Sequence, residues 1–134
     1  MAPPARASRQ ATGRPCYSTR RSRADVSSWC VSRRFRAATG SAFKPFAGIE
    51  REKLELTTGA DALLVHGAAD LNDTRCAACG SLLFSVVRDG EYVHVAMGSL
   101  VDAPCIRPGG HIYVGSKATW FEITDDLPQF EELW

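Results

Sequence analysis

The chain contains no run of about 18 apolar residues, the length that would suggest a bilayer-crossing helix, so no membrane partner is expected. Near its start it has no apolar stretch either, which argues against a secretory signal. Cysteine is scarce and odd in number, five in 134 residues, so at least one thiol must stay unpaired. That usage suits a reducing, cytoplasmic setting with metal-bound thiols better than a disulfide framework. There is no internal repeat and no long amphipathic helical stripe. Lysine is absent from the first 36 residues, where nine arginines face one acid, Asp25, for a net charge of +8. The remainder carries seven basic and fourteen acidic groups, or −7, so the overall +1 conceals an acidic body with a basic head.

What is present fits one small globular domain, with 45% hydrophobic and 23% charged residues. A chain of this length can bury a core unaided yet gains from a metal staple. Met1 to about Asp25 shows neither a strand nor a helix period, and its apolar content is mostly alanine, so it is expected to be disordered or loosely attached. Three readings compete for residues 1–36. Scattered arginines could attract nucleic acid, but no aromatic interleaving or helical stripe organises them, so nucleic acid is not the expected partner. The Arg/Ser-rich, acid-poor composition also fits a transit peptide. The favoured reading is an extension without function, such as a GC-rich gene translated in a shifted frame.

From Phe43 the sequence becomes orderly. Phe43–Ile49, Leu54–Leu56, Ala62–His66, Leu82–Val87, Tyr92–Met97, His111–Val114 and Trp120–Ile123 read as short strands. Glu50 to Leu54 is expected to contain a brief turn. Asp89-Gly90 suits a two-residue type I′ hairpin between the fourth and fifth of these strands. The tail from Asp125 is expected to end in a helical turn with Phe130 as its anchor, and Trp120 and Phe121 are expected in the core. Short strands at roughly ten-residue spacing predict a mainly β domain.

The motif with the clearest chemistry is Cys76-Ala-Ala-Cys79-Gly80. Two thiols three positions apart on a tight turn form half of a tetrahedral zinc site, and the glycine lets the backbone pass close to the ion. The competing reading is a buried or redox-active pair. A redox Cys-x-x-Cys, however, usually opens a helix, whereas Ser81 to Arg88 reads as a strand.

Several separate stretches occur in a recognisable order: Thr39-Gly-Ser-Ala-Phe43, Cys76-Ala-Ala-Cys-Gly80 with Leu83-Phe84, Gly98-Ser-Leu100, Pro108 with His111-Ile112, Gly115-Ser-Lys117, Trp120-Phe121 and Asp126-Leu-Pro-Gln-Phe-Glu131. In this, residues 36–134 resemble the glutathione-dependent formaldehyde-activating family, which also includes centromere protein V. The resemblance implies a β-tent fold of small antiparallel sheets around zinc, here a zinc-binding domain over 37–134. It implies carbon–sulfur lyase chemistry on thiol–aldehyde adducts such as those of glutathione, with Zn2+ as cofactor. In the family a structural zinc is held by an early Cys-x-Cys and a later Cys-x-x-Cys, the latter matched by Cys76 and Cys79. A catalytic zinc is held by Cys-x-Cys-x-x-Cys shortly before Gly-Ser.

Counting back from Gly40-Ser41, those three thiol positions fall on Cys30, Ser32 and Phe35. A serine hydroxyl does not ionise near neutrality and phenylalanine offers no donor, so the resemblance leaves open whether the chain is an enzyme. Cys16 keeps at most one thiol of the early motif. Further ligands for the Cys76/Cys79 half-site are sought among Cys16, Cys30, Cys105 and the histidines, with Cys105 and His94 read as an incidental thiol and a strand histidine. The resemblance places Ser41, His111 and Lys117 at a substrate cleft. A non-catalytic remnant of the fold is the main alternative to an enzyme.

Overall fold

In a computed structural model, the residues described are 26–56, 59–100 and 106–133. Their seven strands are β1 (Val26–Cys30), β2 (Lys44–Glu50), β3 (Leu63–Gly67), β4 (Asn72–Cys76), β5 (Leu82–Val87), β6 (Tyr92–Ala96) and β7 (His111–Ile112), with a single helix α1 (Arg33–Thr39). The domain is mainly β, as the strand-like periodicity predicts. All seven strands join one hydrogen-bonded sheet in the order β3-β4-β5-β6-β2-β1-β7. Every pairing is antiparallel except that of β1 with β7. Among the described residues no helix is long and apolar enough to cross a membrane.

β1 lies inside residues 1–36, the segment set apart by its charge, and it pairs on both sides, with β2 and with β7. Its residues Ser27, Ser28 and Cys30 are buried although two of them are hydroxyl-bearing. Chain reversal after β1 is made by α1. Ser32 caps its first turn by accepting a hydrogen bond from the Phe35 amide, and Gly40 closes it in the left-handed region, donating to Arg36. The helix contributes one side chain to the interior, Phe35.

The core is two clusters on one sheet. Leu83, Phe84, Val86, Val93, Val95 and Cys76 pack where β4, β5 and β6 meet. Cys30, Phe35, Phe46 and Ile112 pack under α1, with Phe130 against them. Burial of such side chains stabilises by about 1.5–3 kcal/mol each, which is what holds strands with so many polar residues together.

Several expected elements differ. Leu54–Leu56 and Trp120–Ile123 are not strands, and Trp120 is 71% exposed because a turn at Ala118 turns the smaller alanine inward instead. The tail is extended rather than helical. The Phe130 amide donates to the His111 carbonyl, the His111 amide donates to the Pro128 carbonyl, and Phe130 still serves as the anchor. The β5–β6 connection is a four-residue loop, not a two-residue one: Arg88, Asp89 and Gly90 all have positive φ, giving two overlapping turns closed by the Gly90 and Glu91 amides. Glu50 to Leu54 contains the brief turn expected there, at Arg51–Lys53.

Candidate functional site

The turn between β4 and β5 carries the Cys-x-x-Cys pair. Its geometry is set by the Gly80 amide donating to the Cys76 carbonyl at 2.7 Å and by Gly80 in the left-handed region, where a side chain would be strained. Cys76 is buried and Cys79 exposed. The Cys79 thiol lies 3.2 Å from the Ser81 hydroxyl. Hydrogen bonds with the Ser81 side chain and backbone, and then with Cys76, hold its pKa below the ordinary thiol range. Arg75 braces the turn, donating to the Gly80 carbonyl at 3.0 Å and to the Ala38 carbonyl at the end of α1. Two thiols in contact on a tight turn fit one half of a tetrahedral zinc site, and Cys76 and Cys79 are the residues that would hold the ion. Among the described residues no group of three His, Cys, Asp or Glu side chains gathers to complete one. Cys16 and Cys105 lie outside the described residues.

The second motif is built differently. Cys30 is fully buried at the end of β1, 3.4 Å from the Ser32 hydroxyl, and burial pushes its pKa up against the lowering effect of that contact. Ser32 is occupied as the helix cap, accepting from the Phe35 amide at 3.3 Å. Phe35 fills the core. Directly across the strand pair from Cys30 stands Lys44, 3% exposed, its ammonium 4.1 Å from the Phe35 ring centroid. One protonated-leaning thiol, a committed hydroxyl, a phenyl ring and a resident cation do not fit a metal ion. The charge a dication would bring is opposed by one already in place.

Lys44 heads a buried polar chain that sequence reading did not single out. Its Nζ donates to Ser85 Oγ at 3.1 Å, and Ser85 donates to Asp73 Oδ1 at 2.6 Å. Asp73 and Ser85 sit opposite each other in the β4–β5 register. Arg34 reaches Asp73 at 3.6 Å from the helix side. Desolvation lowers the Lys44 pKa to about 8, with the Asp73 charge working against it. The only signal in the sequence was a lysine at the start of a strand that then carries no charge until Glu50.

An open cleft of about 480 Å3 runs between the end of α1, the start of β2 and the cysteine turn. Thr39, Phe43, Lys44, Arg75, Cys79 and Ser99 are among its lining residues. Cys79 and Lys44, from the two motifs, therefore share one cleft. The three residues expected at a substrate cleft do not line it. Ser41 is half-buried beside it in sequence only, its amide donating to the Thr39 hydroxyl. Lys117 spends its ammonium on the carbonyls of Ala118 and Phe121.

His111, on β7 and 4% exposed, forms a bidentate contact with Asp125 at 2.9 and 3.0 Å and stacks against Trp29. That contact holds the Asp125 carboxyl below its usual range, and it leaves His111 Nδ1 without a partner. His94 is packed, not solvent-facing. It stacks on Phe46 at 3.8 Å, and desolvation, with Lys44 and two arginines adding to it, lowers its pKa to about 3. His66 is exposed on β3.

A family model described as glutathione-dependent formaldehyde-activating enzyme matches residues 16–116 of the chain. Comparison with curated proteins finds no match.

Proposed function

Since the chain belongs to the glutathione-dependent formaldehyde-activating family, we propose that it is a thiol-adduct-binding member that lacks the family's catalytic zinc. The carrying observation is the fate of the three positions that resemblance assigns to that zinc. Cys30 is buried, Ser32 caps α1 and Phe35 is core, with the Lys44 ammonium beside the ring. A zinc that activates a thiol needs three protein anchors and an open fourth position. Here two anchors have been replaced and the third is sequestered.

The ligand of this reading is a small thiol–aldehyde adduct such as that of glutathione, seated in the cleft beside Arg75 and Cys79. Arg75, while bracing the turn, places a positive charge on the wall of that cleft, which favours an anionic ligand. Cys76 and Cys79 are the two ligands of a structural zinc in the same reading, holding the β4–β5 turn. Residues 37–134, with β1 and the start of α1 added, make up the domain.

Metal analysis together with an activity assay tests it. We expect no more than one zinc per chain and no zinc-dependent turnover of S-hydroxymethylglutathione, alongside calorimetric binding of that adduct. Two zincs per chain, or turnover abolished by chelation, would sink the reading. In the complementary experiment, S32C/F35C should gain a second zinc only when Lys44 is also replaced by a neutral residue.

A further inference from the structure

We propose that Lys44 is an amine that captures a small aldehyde in the cleft without a metal, by forming an imine at its Nζ, with Ser85 and Asp73 as its proton relay. This goes beyond the binding reading above, because it assigns the chain a covalent step that uses none of the positions expected to hold zinc.

The geometry has three parts. Lys44 is part of the cleft wall, where a one-carbon aldehyde is small enough to enter, and its 3% exposure keeps the amine largely desolvated. Desolvated lysines are the ones that serve as nucleophiles, because burial disfavours the ammonium form. The lowered pKa near 8 is the accompanying sign. Second, Nζ, Ser85 Oγ and Asp73 Oδ1 form a continuous line of 3.1 and 2.6 Å contacts, along which a proton can pass from the ammonium to the carboxylate. Third, the Phe35 ring lies 4.1 Å from Nζ and faces a cation both before and after the reaction.

The charged and titratable groups around Nζ are Asp73 and Arg75 from β4, Arg34 from α1, Cys30 from β1 and His94 from β6. Desolvation is what brings the amine within reach of its neutral form, with Asp73 and Cys30 opposing it and the two arginines assisting.

The step balances without an oxidant or reductant. The ammonium passes one proton through Ser85 to Asp73, and the freed nitrogen pair attacks the carbonyl carbon. A nitrogen–carbon bond forms as the carbonyl π pair moves to oxygen, which takes a proton back. A nitrogen proton then passes to the hydroxyl, and the nitrogen pair expels it as water, breaking the carbon–oxygen bond and leaving a protonated imine. Lys44 and formaldehyde thus become an iminium and one water, with charge conserved.

The chain has only three lysines, Lys44, Lys53 and Lys117, so the site can be read directly. The native full-length protein is exposed to dilute formaldehyde at neutral pH, reduced with cyanoborohydride, digested and mapped by mass spectrometry. Lys44 should be labelled at least about tenfold faster than exposed Lys53, because its desolvated amine sits at the cleft with a proton acceptor in line. In urea that advantage should vanish. S85A should slow labelling at Lys44 and leave Lys53 unchanged. Labelling of native Lys44 at or below the rate of Lys53 would overturn the proposal, even if S85A fails to fold. An S85A rate equal to wild type would overturn the relay. Neither result depends on zinc content or turnover, so the binding reading stands or falls separately.

Discussion

Ser32 illustrates how one side chain can be withdrawn from one task by another. Its hydroxyl accepts from the Phe35 amide and lies 3.4 Å from the Cys30 sulfur, so it fixes the entry to α1 and the burial of Phe35 together. S32A should cost about 1 kcal/mol of stability, as loss of a helix cap does, and urea unfolding would register it. His94 offers a second residue-scale prediction. Its pKa lies near 3 in the folded chain against an ordinary 6.5. Below pH 6.5 the unfolded chain therefore binds a proton that the folded chain refuses until about pH 3. Stability is full above 6.5 and falls progressively through that window, by up to about 5 kcal/mol. H94Q should flatten the acid limb of a stability–pH profile between those values. An unchanged slope would mean that the ring is not held neutral by its packing on Phe46.

Among the elements, the β4–β5 unit joins both candidate motifs. Arg75 ties the cysteine turn to the end of α1 through two carbonyls, while Asp73, one strand position pair away, receives Ser85. R75A should lower stability by about 1–3 kcal/mol, the range for hydrogen bonds to a charged donor, and should speed alkylation of Cys79 as the turn loosens. Unfolding in denaturant and timed labelling with a maleimide would check the two halves. The same unit shows which elements are legible from sequence. β2, β3, β5, β6 and β7 are readable because β-branched and aromatic residues mark them. β4 escaped notice because its buried side chains, Asn72, Asp73 and Thr74, are polar and are satisfied by hydrogen bonds that only the folded sheet supplies. α1 has seven residues and a single buried one, too few for a 3.6-residue period to show. The Cys76/Cys79 pair could be read because its partners are three positions apart. The Lys44–Ser85–Asp73 chain could not, since its members are 41 and 12 residues apart and meet only through strand register.

For the molecule as a whole, the decisive arrangement is that a segment distinguished by its charge supplies an inner strand. β1 lies between β2 and β7, and the amides of its Trp29 and of Val31 just beyond it donate to the Gly110 and Ile112 carbonyls. Without it, β7 and the tail that pairs with His111 have no sheet to join, and Phe46 and Ile112 lose Cys30 and Phe35 as core neighbours. Removing residues 1–36 should therefore abolish cooperative unfolding rather than trim a tail, whereas removing 1–25 takes away none of the seven strands and should preserve a single transition. Circular dichroism melts of the two truncations separate these outcomes. A cooperative melt from the shorter chain, starting at residue 37, would mean that β1 stands outside the folding unit. It would also free the arginine-rich segment for a task of its own, because a strand the sheet can spare is one a partner can borrow.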